Sequence, residues 1–232
     1  MFLSFRDAFR LYTGRFEGVL LLSLTIVLPL LLGIWFLNNI VYFFVFDEFT
    51  SAIADFYYIF LTFSVLMIAQ VPFIEMVKSY AEEGDYKYRN IYYAFFTTAF
   101  SIFLFAIAVS LAATVGTMFF IIPGLILLVF FFTAPYESVM SGKSIWKSIK
   151  PSFTFAKKKF FPLLSIILFI SLVEIIIGWI GMYVIYSVTA SLLAQITVQM
   201  LLNLVFFPFL SIWIAFYYLS WKEGHQLAPE VR

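Results

Sequence analysis

The sequence has no cysteine, a single histidine at position 225, and few charges: Asp, Glu, Lys and Arg make up only 12% of its 232 residues. The missing thiols exclude disulfides, thiol catalysis and Cys-based metal clusters, and one lone imidazole excludes a histidine ligand set or a histidine-based triad. Phosphate loops, HExxH, GxSxG, dinucleotide fingerprints and nucleic-acid-binding motifs are absent as well. No catalytic residue, metal ligand, cofactor or nucleic-acid partner is therefore expected, and the chain reads as non-enzymatic. What is abundant is apolar surface: 64% of residues are hydrophobic and 22% aromatic, with a mean hydropathy of +1.03. Soluble domains run at roughly 45–50% apolar and about 25% charged. One core of this length could not hide so much apolar surface from water. The solvent must be lipid, and the fold class is an all-α integral membrane protein.

A helix crosses the hydrocarbon in about 20 apolar residues. That ruler gives six spans, at about 18–46, 51–80, 91–119, 124–140, 160–188 and 192–221, within a single membrane domain over 1–232. Ile122-Pro123-Gly124 reads as the tight hairpin turn between the third and fourth, because proline fixes φ and glycine permits positive φ. Lys and Arg near span ends stay on the cytoplasmic side. Here all 14 of them fall before span one, between spans two and three, between spans four and five, or after span six. The three opposite connections carry none, and the first of them holds Asp47, Glu48 and Asp55. Both termini are thus expected in the cytoplasm, at the bacterial cytoplasmic membrane. No cleavage site follows a short apolar region, so span one reads as retained.

Three segments look amphipathic. Residues 3–16 place Phe5, Phe9, Tyr12 and Phe16 at helical spacing, with Arg6, Asp7 and Arg10 turned away, as in an interfacial helix. The basic segment 143–159 sets Ile145, Ile149, Phe153 and Ala156 against Lys143, Lys147 and Lys150, and Pro151 suggests a kink or two short helices. Residues 85–95 are a weaker version before span three. Each segment precedes one hairpin, so the chain can be written as three units of interfacial helix plus hairpin.

The run IIPGLILLVFFFTAPYESVMSGKSIWKSIKPSFTFAKKKFF, from Ile121 to Phe161, resembles the membrane domain that precedes the catalytic domain in some bacterial glycerophosphodiester phosphodiesterases. It is also similar to related stand-alone multi-span bacterial membrane proteins. The shared features are the Pro123-Gly124 pair, an apolar stretch ending in Ala134-Pro135, and a short basic helix with Ser148 and Ser152 four apart. Pro151 departs from the pattern. The resemblance implies six helices with interfacial linkers and no activity, since no phosphodiesterase domain accompanies it.

Polar residues inside spans carry the candidate sites. Glu174 lies near the middle of span five, where an ionised carboxylate costs at least a few kcal/mol. Gln199 and Asn203, four apart on span six, fall at a comparable depth, and Gln70 of span two can join them. Either this is a proton- or substrate-linked polar site, or it is an interhelical hydrogen bond that fixes packing. Glu137 with Lys143, and Glu75 with Lys78, read as interfacial ion pairs. Lys143, Lys147, Lys150, Lys157, Lys158 and Lys159, with Arg6 and Arg10, are the expected contacts to an anionic inner leaflet or to a partner protein such as an exporter subunit. Span three has two small-residue rows, Ala106-Ser110-Ala113 and Ala108-Ala112-Gly116, each permitting close helix approach, and Gly178 and Gly181 do likewise in span five. Two functional classes follow: an accessory, regulatory, envelope-homeostasis or toxin-immunity protein working through contacts, and a small transporter or channel built on Glu174.

Overall fold

A computed structural model describes the backbone of residues 2–119, 121–189 and 191–226. Every regular element among them is a helix. In chain order these are α1 (Phe2–Gly14), α2 (Phe16–Leu22), a π-helical turn (Ser23–Val27), α3 (Leu28–Phe43), α4 (Glu48–Ala69), α5 (Val71–Glu83), α6 (Tyr88–Phe119), α7 (Ile121–Phe132), α8 (Ala134–Ser141), α9 (Ile145–Lys158), α10 (Phe160–Val188) and α11 (Leu192–Gln226). Five stretches of the described residues are long and apolar enough to cross a membrane: Phe16–Phe43, Glu48–Glu83, Tyr88–Gly116, Phe160–Val188 and Leu192–Gly224. The stretch expected as span four is shared between α7 and α8, with Thr133 as a break between them.

The chain clusters into two compact units, one made of Met1–Leu28 and Phe161–Arg232, the other of Pro29–Phe160. The division at Leu28 and Pro29 runs through the middle of an apolar span, where hydropathy has no boundary to mark.

In the first unit, α1 lies along α11. Ser4, Ala8 and Leu11 are buried on α1, and Phe5 and Tyr12 beside them touch α11. Phe5 meets Trp213 edge-on at 4.8 Å between ring centroids, and Tyr12 meets Phe209 at 5.3 Å. The expected aromatic stripe is therefore split, because Phe9 and Phe16 are exposed. Pro208 sits inside α11 without ending it. Its ring removes the N–H that the Leu204 carbonyl would have accepted and crowds the preceding turn. One residue on, the Val205 carbonyl accepts the Tyr12 hydroxyl at 3.0 Å, and burial there pushes the Tyr12 phenol up to about 12. The π-helical turn lies directly before Pro29, where a widened turn relieves the same kind of clash.

In the second unit, α6 is the centre and packs against α4, α5, α7, α8 and α9. Asp47 starts α4 through a capping box: the Thr50 N–H donates to Asp47 Oδ1 at 2.8 Å, and the Asp47 N–H donates to Thr50 Oγ1 at 3.0 Å. The Thr50 N–H, together with the Thr50 hydroxyl, which donates to Asp47 Oδ1 at 2.9 Å, holds the Asp47 carboxyl below its ordinary value. The helices break at Gln70 and Thr133, each two residues before a proline, Pro72 and Pro135, at the start of the next helix. α5 and α8 end on Gly84 and Gly142, whose φ values of 75° and 64° only glycine adopts without strain.

Three further expectations change. Pro123 and Gly124 are not the hairpin turn; both lie in the opening turns of α7, where a missing N–H costs nothing. The connection passes through Phe120, outside the described residues. Gly124 instead lets two helices meet, since a β-carbon on Gly116 would come within 3.2 Å of its N and Cα. Residues 85–95 form no separate interfacial helix, because α6 begins at Tyr88 and runs unbroken to Phe119. Pro151 neither splits nor ends α9, which is one helix from Ile145 to Lys158.

Candidate functional site

The mid-membrane polar group comes first. Along α10 the buried positions are Leu163, Ile166, Ile170 and Gly178, at the spacing of a single seam. Glu174 lies on that seam, half-buried, and no described residue hydrogen-bonds to it or pairs with its charge. Opposite it runs α11. A β-carbon on Gly178 would lie 3.5 Å from the Leu202 side chain and 3.9 Å from Gln199 Oε1, and one on Gly181 would lie 3.3 Å from Val198. Continuing that antiparallel register by one turn sets Glu174 opposite Val205 and Phe206, about a turn from Asn203. The Asn203 amide donates to the Gln199 carbonyl at 2.9 Å within its own helix. Gly178 and Gly181 thus face α11 side chains across a gap that a β-carbon would fill.

Gln70 is fully buried in the other unit. Its Nε2 donates to the carbonyls of Met67 and Phe132, both at 3.2 Å, which ties the α4–α5 break to the end of α7. Ala106, Ser110 and Ala113 are all buried on α6, whereas Ala108 and Ala112 are exposed. The first small-residue row is the packing face.

α9 carries the basic segment. Its buried side is Ile145, Ser148, Ser152, Phe155 and Ala156, set against α7 and α8. Phe153 is exposed and Ile149 half-exposed, so the buried face is rotated from the expected one. Ser148 and Ser152 take the contact because small side chains allow close approach. Lys147, Lys150, Lys157 and Lys158 follow the buried positions by two residues, which is about 200° around a helix, and all four are exposed, as are Lys143, Arg6 and Arg10; Lys159 is half-exposed. Glu137 is buried, and its backbone carbonyl accepts the Ser141 hydroxyl at 2.6 Å.

A polar cavity of about 530 Å³ lies in the second unit, lined by α5, the first half of α6, the C-terminal part of α8 and the α8–α9 connection. On its floor Lys78 donates to the Val139 carbonyl at 3.1 Å and lies 3.8 Å from Glu75. The expected Glu75–Lys78 pair is therefore present, and its lysine also caps the C-terminal end of α8. Ser138 donates to the Lys143 carbonyl at 2.7 Å, and with the turn at Gly142 this fixes the connection carrying Lys143 and Ser144 to the rim. The α6 wall is Asn90, Tyr93 and Ala94 followed by the hydroxyl row Thr97, Thr98 and Ser101. Each hydroxyl donates to a carbonyl of its own helix, at 2.8 Å to Tyr93, 2.7 Å to Ala94 and 2.9 Å to Thr98 respectively. Asn90, Ala94, Thr97, Thr98 and Ser101 form a helical stripe in an otherwise Phe-rich stretch, and that spacing is the signal that could have revealed the wall.

Comparison with known proteins yields no matching family model, no matching curated protein and no matching solved structure.

Proposed function

We propose that this chain is a non-enzymatic multi-pass protein of the bacterial cytoplasmic membrane, with six spans and both termini in the cytoplasm, that acts through lipid and protein contacts at the inner leaflet. The role is accessory, regulatory or in envelope homeostasis, in line with the resemblance to stand-alone multi-span membrane proteins. One observation carries the reading: α9 buries one face in its own unit and turns Lys147, Lys150, Lys157 and Lys158 outward on the opposite face, beside an exposed Trp146. A helix anchored by protein on one side and basic on the other presents charge to a leaflet without having to insert. Each lysine near an anionic surface contributes about 1 kcal/mol. Replacing all four by Gln should abolish the salt-sensitive enrichment of anionic lipid around the protein in mixed nanodiscs. Unchanged enrichment sinks the reading.

A second reading, a small transporter, is favoured by Glu174, a half-buried carboxylate without a described partner on the α10 seam. Under it, Glu174→Gln abolishes solute or proton flux in reconstituted vesicles while leaving folding intact. A packing role predicts a stability change only.

A further inference from the structure

The cavity in the second unit has the charge and hydrogen-bond layout of a binding site. Three charged residues line it, Glu75, Lys78 and Lys143. The first two offset one another on the half-buried floor, 3.8 Å apart, and Lys78 is further occupied by the Val139 carbonyl. Lys143 stands exposed at the rim with no described ion-pair partner, so the site has room for one negative charge there. The facing wall is the reverse. Thr97, Thr98 and Ser101 have each committed their only proton to α6 carbonyls and present lone pairs alone. An occupant that satisfies both sides carries one anionic group toward Lys143 and hydrogen-bond donors toward α6. Glu75 adds a further acceptor at the floor.

We infer that this cavity binds a singly charged phosphate ester whose alcohol part bears hydroxyl groups, with the phosphate at Lys143 and the hydroxyls donating to the Thr97, Thr98 and Ser101 wall. The chemistry is common to a hydroxylated phospholipid head group and to a soluble phosphate. The inference rests on the inner-leaflet reading only for how a lipid would reach the rim. The volume, about 530 Å³, is within the usual range of small-molecule sites. Gly142 and Ser138, by fixing the connection that bears Lys143, keep the anion end preorganised.

The test uses the full chain in mild detergent, titrated with phosphatidylglycerol, phosphatidylcholine or inorganic phosphate and read by native mass spectrometry. One phosphatidylglycerol per chain is expected, held in preference to phosphatidylcholine. Lys143→Ala should weaken it about fivefold, the effect of one well-placed lysine, and Thr97→Val should weaken it less, by removing an acceptor without a charge. Lys147→Ala removes the same charge from the outer face of α9, away from the cavity, and should leave this single adduct in place. Saturable binding of inorganic phosphate that also depends on Lys143 would identify a soluble ligand as the source. Equal losses in Lys143→Ala and Lys147→Ala would overturn the site and leave the diffuse leaflet contact standing. No preference for phosphatidylglycerol in any variant would overturn both.

Discussion

Proline in the second helix of a hairpin is handled differently in the two units. In the first, α11 runs straight through Pro208, and the carbonyl three residues earlier, that of Val205, accepts a hydroxyl from α1. In the second, the carbonyl three residues before Pro135, that of Phe132, accepts an amide from Gln70, and there the helix breaks at Thr133. Both solutions give a backbone carbonyl beside a proline a side-chain donor. They differ in where the donor sits. Tyr12 comes from a helix lying flat along an unbroken one, while Gln70 sits at a break of its own and joins two bent helices at their bends. The first arrangement preserves a long rod. The second produces short helices, α5 and α8, and the middle of α5 and the C-terminal part of α8 line the cavity.

The close-approach glycines provide the strongest contrast to break. A β-carbon on Gly116 meets backbone atoms of Gly124 at 3.2 Å, whereas one on Gly181 meets only the Val198 side chain at 3.3 Å. Backbone cannot yield as a side chain can. Gly116→Ala should therefore destabilise the protein by about 2–3 kcal/mol, and Gly181→Ala by less than about 1 kcal/mol, in unfolding by denaturing detergent. The hydrogen bonds to the proline-loosened carbonyls come next. Gln70→Leu removes the donor to two buried carbonyls and should cost about 1–2 kcal/mol, against about 1 kcal/mol for Tyr12→Phe, which removes one at a partly exposed site. If the two costs are equal, the break in the second unit has no special dependence on its glutamine.

The smallest effect sharpens the start of α4. Asp47 is held below its ordinary carboxylate value by the Thr50 N–H and hydroxyl. A lowered folded-state value means that the capping contribution is fully present above the ordinary value of 3.8 and is lost as pH falls through the lowered one. Hydrogen exchange at the first-turn amides of α4 should accelerate over that acidic window. In Asp47→Asn, which caps without titrating, the acceleration should be absent.

Five apolar stretches were legible because crossing a membrane is a matter of length and hydropathy, and α10 and α11 begin where those rules place them. Which face of a helix turns inward was less legible. On α1 the buried residues are Ser4, Ala8 and Leu11 while Phe9 faces out, and on α9 Ser148 and Ser152 are buried while Phe153 is exposed. Where the surroundings are lipid, apolar side chains gain little by turning inward, and small residues win the contact because they let helices approach. The breaks at Gln70 and Thr133 had a signal in Pro72 and Pro135 that hydropathy overrode, since the apolar run continues past each of them. Glu174 stood out as an isolated acid in an apolar span. The cavity wall did not, because threonine and serine are nearly neutral on hydropathy scales and only their helical spacing sets them apart.

The π-helical turn at Ser23–Val27 bears on how the first span could have arisen. An α-helix advances about 100° per residue, so one extra residue held in a wide turn rotates everything after it by that angle without interrupting the rod. Gly18, Val19 and Leu22 are buried before the turn and Ser23, Ile26 and Val27 within it, and in α3 after it Asn38 alone is buried. A single-codon insertion suffices to place such a wide turn within a membrane helix, the residues before and after it each keeping an angular phase of their own.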